Sequence, residues 1–80
     1  KEDIFMVFEK VKGLINTHLK VAEDKINLDS RLVEDLGADS ANVMVLIMEL
    51  EDNFGIMVDD DAIMTLKTVE DVVKYIEAKV

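Results

Sequence analysis

Leu36-Gly37-Ala38-Asp39-Ser40-Ala41-Asn42-Val43-Met44-Val45-Leu46-Ile47-Met48-Glu49-Leu50-Glu51-Asp52-Asn53-Phe54-Gly55 decides how the chain folds. A glycine-bearing turn runs straight into a strongly apolar helix pattern, and a lone serine hydroxyl stands at its mouth. Val43, Leu46, Ile47, Leu50 and Phe54 recur at helical spacing and form a core face. Ala41, Met44, Val45 and Met48 lie on the other side, so the helix is apolar nearly all round. A buried central helix and an exposed apolar strip are both compatible with this, on different faces. This helix two is expected over about Ser40 to Phe54, with Gly55 as a plausible C-terminal stop.

Outward from this helix, apolar periodicity predicts helix one over Asp3 to Leu19, with Ile4, Val7 or Phe8, Val11, Leu14, Ile15 and Leu19 facing inward. Gly13 inside it costs about 1 kcal/mol against Ala unless packing needs it. Lys20 to Asp39 form a long connection, which Ile26, Leu28, Leu32 and Leu36 can anchor to the core. A short third helix covers Asp60 to Thr65. The last helix runs from Val69 to Lys79, with Thr68 and Asp71 at capping-box spacing and Val69, Val72, Val73 and Ile76 inward. The expected fold is all-α: a small bundle of three main helices plus one short helix, in a single domain over residues 1–80.

Charge is the second organising feature. Eighteen acids against nine bases leave a formal net charge of -9. From Leu32 to Leu66 there is no Lys or Arg, but nine acids: Glu34, Asp35, Asp39, Glu49, Glu51, Asp52, Asp59, Asp60 and Asp61. The remainder cancels, so the charge is local and marks a surface that basic partners would recognise. The balance argues against nucleic acid and anionic membranes as partners, since both need clustered Lys or Arg. The longest apolar run, Val43 to Met48, is six residues, far short of a membrane span. No signal peptide is visible, so a cytoplasmic protein is expected. A monomer is expected as well. There is no Cys, which excludes disulfides, thiolate metal sites and cysteine nucleophiles.

Other chemistries fare poorly. A hydrolase serine needs a base, and the one histidine, His18, lies near the end of helix one, without any Gly-x-Ser-x-Gly elbow. Counting an EF-hand loop from Asp35 places Ser40 where glycine is needed and Leu46 where glutamate is needed. Asp59-Asp60-Asp61 are adjacent rather than alternating, which suits an acid-rich helix N-terminus better than a metal site. No metal site and no catalytic residue are expected. Asp39 or Ser40 could serve merely as an N-cap.

The same residues give the chain a family resemblance. Gly37-Ala38-Asp39-Ser40, the apolar helix ending in Glu51-Asp52-Asn53-Phe54, Leu32-Val33-Glu34-Asp35-Leu36 in the loop, and the closing Thr68-Val69-Glu70-Asp71-Val72-Val73 resemble the acyl carrier proteins of fatty-acid and polyketide synthesis. The resemblance covers nearly the whole chain. It implies a carrier rather than an enzyme, with phosphopantetheine, drawn from coenzyme A, attached at Ser40 beside Asp39. That arm would import the thiol the chain lacks. The implied partners are a phosphopantetheinyl transferase and acyl-processing enzymes with basic patches. They would dock on Asp39, Ala41, Met44, Val45, Met48, Glu51 and Asp52. The implied cargo is an acyl chain, sheltered between helix two and helices three and four, with Ile47, Leu50, Phe54, Ile63, Val69 and Tyr75 as lining. The chain departs from the family pattern in having Ala41 after the serine, uncharged Asn42 and Val45, and no proline before helix three. Two other readings stay open: a specialised carrier for a polyketide, aminoacyl or unusual lipid pathway, and an unmodified acidic helical interaction module.

Overall fold

The computed structural model describes residues 4–80. α1 spans Ile4–Leu19, α2 Ser40–Phe54, α3 Asp60–Ile63 and α4 Val69–Lys79, with a single 3₁₀ turn at Glu23–Lys25. The small helical bundle expected from the periodicity is the fold. Asp3, the expected start of helix one, lies outside the described residues.

α1 packs against both α2 and α4. Val7, Val11 and Ile15 are its fully buried residues, at the spacing of one helical stripe. Phe8, Leu14 and Leu19 pack at the edge of the core. Ile4, expected inward, is exposed. Beyond its chain neighbours and the backbone of its own helix, nothing described lies within 4 Å of the place a Gly13 Cβ would occupy, so packing does not require glycine there.

α2 meets the bundle with Leu46, Ile47 and Leu50, all buried, while Val43 and Phe54 are partly covered. Gly55 ends it in the left-handed region at φ 64°, donating its N–H to the Glu51 carbonyl. α4 buries Val69, Val72, Val73 and Ile76. Its start carries the complete capping box: the Asp71 N–H donates to Thr68 Oγ1 at 3.1 Å and the Thr68 N–H to Asp71 Oδ2 at 3.1 Å.

Two further expectations need correction. α3 stops at Ile63 rather than Thr65. Both the N–H and the hydroxyl of Thr65 donate to the Ala62 carbonyl, at 2.9 and 2.7 Å, so the last turn tightens and closes on itself. Leu28 does not anchor the long connection by its side chain, which is 38% exposed. Its carbonyl does so instead, accepting the Glu70 N–H at 2.8 Å.

Candidate functional site

The site is built from the connection ahead of α2. Ser30, Arg31 and Leu32 run antiparallel to Lys67, Thr68 and Val69, with Leu32 N–H on the Lys67 carbonyl at 2.9 Å and Val69 N–H on the Ser30 carbonyl at 3.0 Å. The chain then turns tightly. Asp35 and Leu36 donate their N–H groups to the Arg31 carbonyl, Gly37 to that of Val33 and Ala38 to that of Leu32. Leu32, Leu36 and Ala38 point into the core. Gly37 sits at φ 73°, where a side chain would be strained. This places Asp39 in extended backbone as the N-cap of α2, its Oδ1 accepting the Asn42 N–H at 2.8 Å.

Ser40 is therefore the first helical residue of α2, and it is exposed. The dipole of α2 makes this end positive, and the amides of the first turn lie outside the helical ladder. The Asp39 carboxylate beside it offsets part of that charge. The hydroxyl is presented to solvent rather than buried in a pocket, and no histidine accompanies it, since His18 faces Glu49 of α2 at 3.8 Å. The other serine differs in every respect. Ser30 is 7% exposed, and its hydroxyl oxygen accepts the Asn27 N–H at 2.9 Å.

The outward face of α2 settles which side of that helix is free. Met44, Val45 and Met48 are 48%, 45% and 61% exposed, and Ala41 is exposed as well. Thus the helix has a buried stripe and an uncovered apolar strip on different faces. Asp39 and Asp52 are exposed beside it. Glu51 is partly covered, and its Oε2 accepts the Val58 N–H at 2.9 Å. One of the acids expected on the docking rim thus holds the chain that leaves α2. The sequence carried no signal for that contact.

A cavity of about 390 Å³ opens near the serine end of α2, lined by Leu32, Val33, Glu34, Val43, Ile63, Met64, Leu66 and Lys67. Of the six residues expected to line an acyl site, Ile63 is on this wall. Ile47, Leu50 and Val69 are closed into the core. Phe54 and Tyr75 are partly buried at its edge, with the Tyr75 hydroxyl accepting the Asp59 N–H at 3.3 Å. Among the described residues no group of three His, Asp or Glu side chains is placed to hold a metal. No helix there is long and apolar enough to cross a membrane.

Comparison with known proteins shows which family the chain resembles. A family model described as the phosphopantetheine attachment site matches residues 9–76. The acyl carrier protein of Campylobacter hominis is 46% identical over 71 residues, covering 89% of this chain and 90% of that protein. Those of Onion yellows phytoplasma and Thermotoga maritima are 48% and 42% identical, over 89% and 91% of this chain and 93% and 90% of theirs. The chain belongs to the acyl carrier protein family. Members of the family are carriers rather than enzymes, handle acyl chains and work with synthesis enzymes. Their cofactor is phosphopantetheine, which supplies a thiol that holds acyl groups as thioesters.

The residues present fit that group. An acyl carrier protein needs one reachable hydroxyl on a firm support, and Ser40 meets both needs. It needs a way to shelter apolar cargo, and the cavity beside Val43, one turn after Ser40, is mostly apolar. It needs no base of its own, and the one histidine, His18, is turned to Glu49.

Proposed function

We propose that Ser40 is the sole point at which this acyl carrier protein bears phosphopantetheine. The observation that carries the reading is the contrast between its two serines: Ser40 is exposed at the start of α2, whereas Ser30 is buried with its hydroxyl already bonded. Asp39 supports the site by capping the helix on which the serine sits. Incubation with coenzyme A and a phosphopantetheinyl transferase tests this. Wild type and Ser30→Ala gain the mass of the arm, and Ser40→Ala does not. Label on Ser40→Ala would overturn the assignment. A wild type that stays bare would favour the unmodified interaction module.

The acyl chain then shelters in the cavity beside Val43 and Ile63. Each buried methylene contributes about 0.8 kcal/mol, so a chain of several carbons can enlarge the cavity toward Ile47, Leu50, Phe54, Val69 and Tyr75. The protein acts as a monomeric, cytoplasmic carrier, residues 1–80 forming one domain. Fatty-acid synthesis is its plain role.

A specialised pathway is the second reading, and the uncovered strip Met44, Val45 and Met48 favours it. Asn42 and Val45 are uncharged, and Glu51 is engaged with Val58. Steering toward a basic enzyme patch therefore leans on Asp39 and Asp52, while Ala41 and the thioethers supply adaptable apolar contact. The double change Asn42→Asp with Val45→Glu should raise turnover with a general ketosynthase. If wild type already matches an ordinary fatty-acid carrier there, the plain role stands.

A further inference from the structure

Arg31 is the only arginine of the chain, and it stands immediately before the block that holds acids alone. Its Nε donates to Asp35 Oδ2 at 3.1 Å and its Nη2 to Asp35 Oδ1 at 3.2 Å, a two-pronged fit. Its backbone N–H donates to the same Asp35 Oδ2 at 2.8 Å. In return its carbonyl accepts the N–H groups of Asp35 and Leu36. Nη1 lies 3.6 Å from Glu34. The guanidinium and the Arg31 amide hold the Asp35 carboxyl below the usual carboxylate range, so the pair stays ionised at neutral pH.

Both partners are exposed. An exposed ion pair contributes little to global stability. What the pair does fix is shape. It closes the turn from Arg31 to Leu36, whose next two residues, Gly37 and Ala38, are bonded back to Val33 and Leu32. Only Asp39 then separates the knot from Ser40. Both Asp35 oxygens thus accept hydrogen bonds from Arg31.

We propose that Arg31 and Asp35 are positioning residues for Ser40, holding the turn that aims its hydroxyl at the transferase. This rests on Ser40 being the attachment point. In the transfer the Ser40 oxygen forms a bond to phosphorus as the diphosphate bridge of coenzyme A breaks. The adenosine bisphosphate leaves, and the hydroxyl proton passes to a base on the transferase. Such an attack is sensitive to placement, since misplacement by about 1 Å can cost a hundredfold.

The test is a double-mutant cycle read by steady-state transfer kinetics, with melting curves to confirm that each variant is folded. Asp35→Asn and Arg31→Ala should each lower kcat about tenfold with KM within about twofold, a partial loss of alignment. The double variant should be no slower than either single one, because both changes open the same turn. Arg31→Lys, which keeps charge but loses the planar fork, should fall between wild type and Arg31→Ala. If Arg31→Ala does not fold, Arg31→Lys against Asp35→Asn carries the same comparison. A rise in KM at constant kcat, or losses that multiply in the double variant, would mean that the two residues meet the transferase directly, and would overturn the proposal. Wild-type kcat in all variants would sink it while leaving Ser40 as the attachment point. An unlabelled wild type would sink both.

Discussion

Residues 20–39, ahead of α2, and residues 55–68, behind it, both connect helices, but they reach the core to different degrees. The leading connection buries Ile26, Ser30, Leu32, Leu36 and Ala38, and hydrogen-bonds to the α4 corner through Leu28, Ser30 and Leu32. The trailing one buries only Val58 and Leu66. Like the leading one it has internal hydrogen bonds, from Ala62, Ile63, Thr65 and Leu66 to carbonyls a few residues back, and the Lys67 carbonyl at its end accepts the Leu32 N–H. Glu51 and Tyr75 tether its first part from outside. The longer connection is thus the firmer one. Connection length says little about order; what matters is how many side chains reach the core and where the backbone bonds go. The serine hangs from the firm side, and the cavity wall formed by Ile63 and Met64 belongs to the loosely held side.

The largest expected effect separates two residues that face the same cavity. Leu32, on the firm side, is buried, whereas Ile63 is only partly covered. Leu32→Ala should cost about 2–5 kcal/mol in urea unfolding, because the backbone bonds of Leu32 to Lys67 and Ala38 resist collapse of the hole. Ile63→Ala should cost about 1 kcal/mol, since less area leaves water and α3 can settle. Equal costs would break the comparison, and would mean that α3 is part of the core.

How much of this was legible in the sequence follows from the same contrast. α2 and α4 fall where the periodicity and end signals put them, because Gly55 and the Thr68–Asp71 box are local devices whose chemistry is complete within a few residues. The end of α3 was misjudged because Thr65 turns back on Ala62, and a threonine hydroxyl that can cap or continue carries no mark of which it will do. The firmness of the leading connection was half visible, in Ile26, Leu32 and Leu36. The bonds from its backbone to residues 67–70 were invisible, since backbone pairing between distant segments leaves no residue-type signature. At the site, the exposed place of Ser40 at the start of α2 and the cap by Asp39 were readable in the sequence. Arg31 and Asp35 stand at the spacing of a helical pair, a signal that was present but lay in a loop. The cavity could not be placed, because it depends on how α3 sits against the turn at Leu32.

A middle-sized effect should distinguish global from local support. Thr68→Val removes the cap of α4 and should cost about 1–2 kcal/mol, visible in the whole unfolding transition. The α4 corner to which the leading connection is bonded would loosen with it. Glu51→Ala leaves the Val58 N–H without its acceptor, at a cost of about 1 kcal/mol. Here the loss should be local. Hydrogen exchange should speed at Val58 and through α3, while the amides of Gly37 and Ala38 keep their protection. Faster exchange on both sides of α2 in Glu51→Ala would show that the two connections are one cooperative unit.

The smallest expected effect concerns acid. The Asp35 carboxyl is held below the ordinary range, first by its hydrogen bond from the Arg31 side chain and then by that from the Arg31 amide. A depressed value in the folded state means that the stabilisation is fully present above the unfolded value, about pH 3.9 for an aspartate, and disappears as pH falls through the lower folded value. The turn ahead of α2 should therefore keep its shape through mildly acid conditions and open only below roughly pH 4. Because the pair is exposed, the whole protein should hardly notice. The readout is the NMR shift of the Arg31 and Ser40 amides against pH. In wild type both should move together along one acid titration, and in Asp35→Asn that common step should vanish. If Ser40 keeps the step without Asp35, the titrating group is another acid, Asp39 being the nearest in sequence, and the knot does not reach the serine.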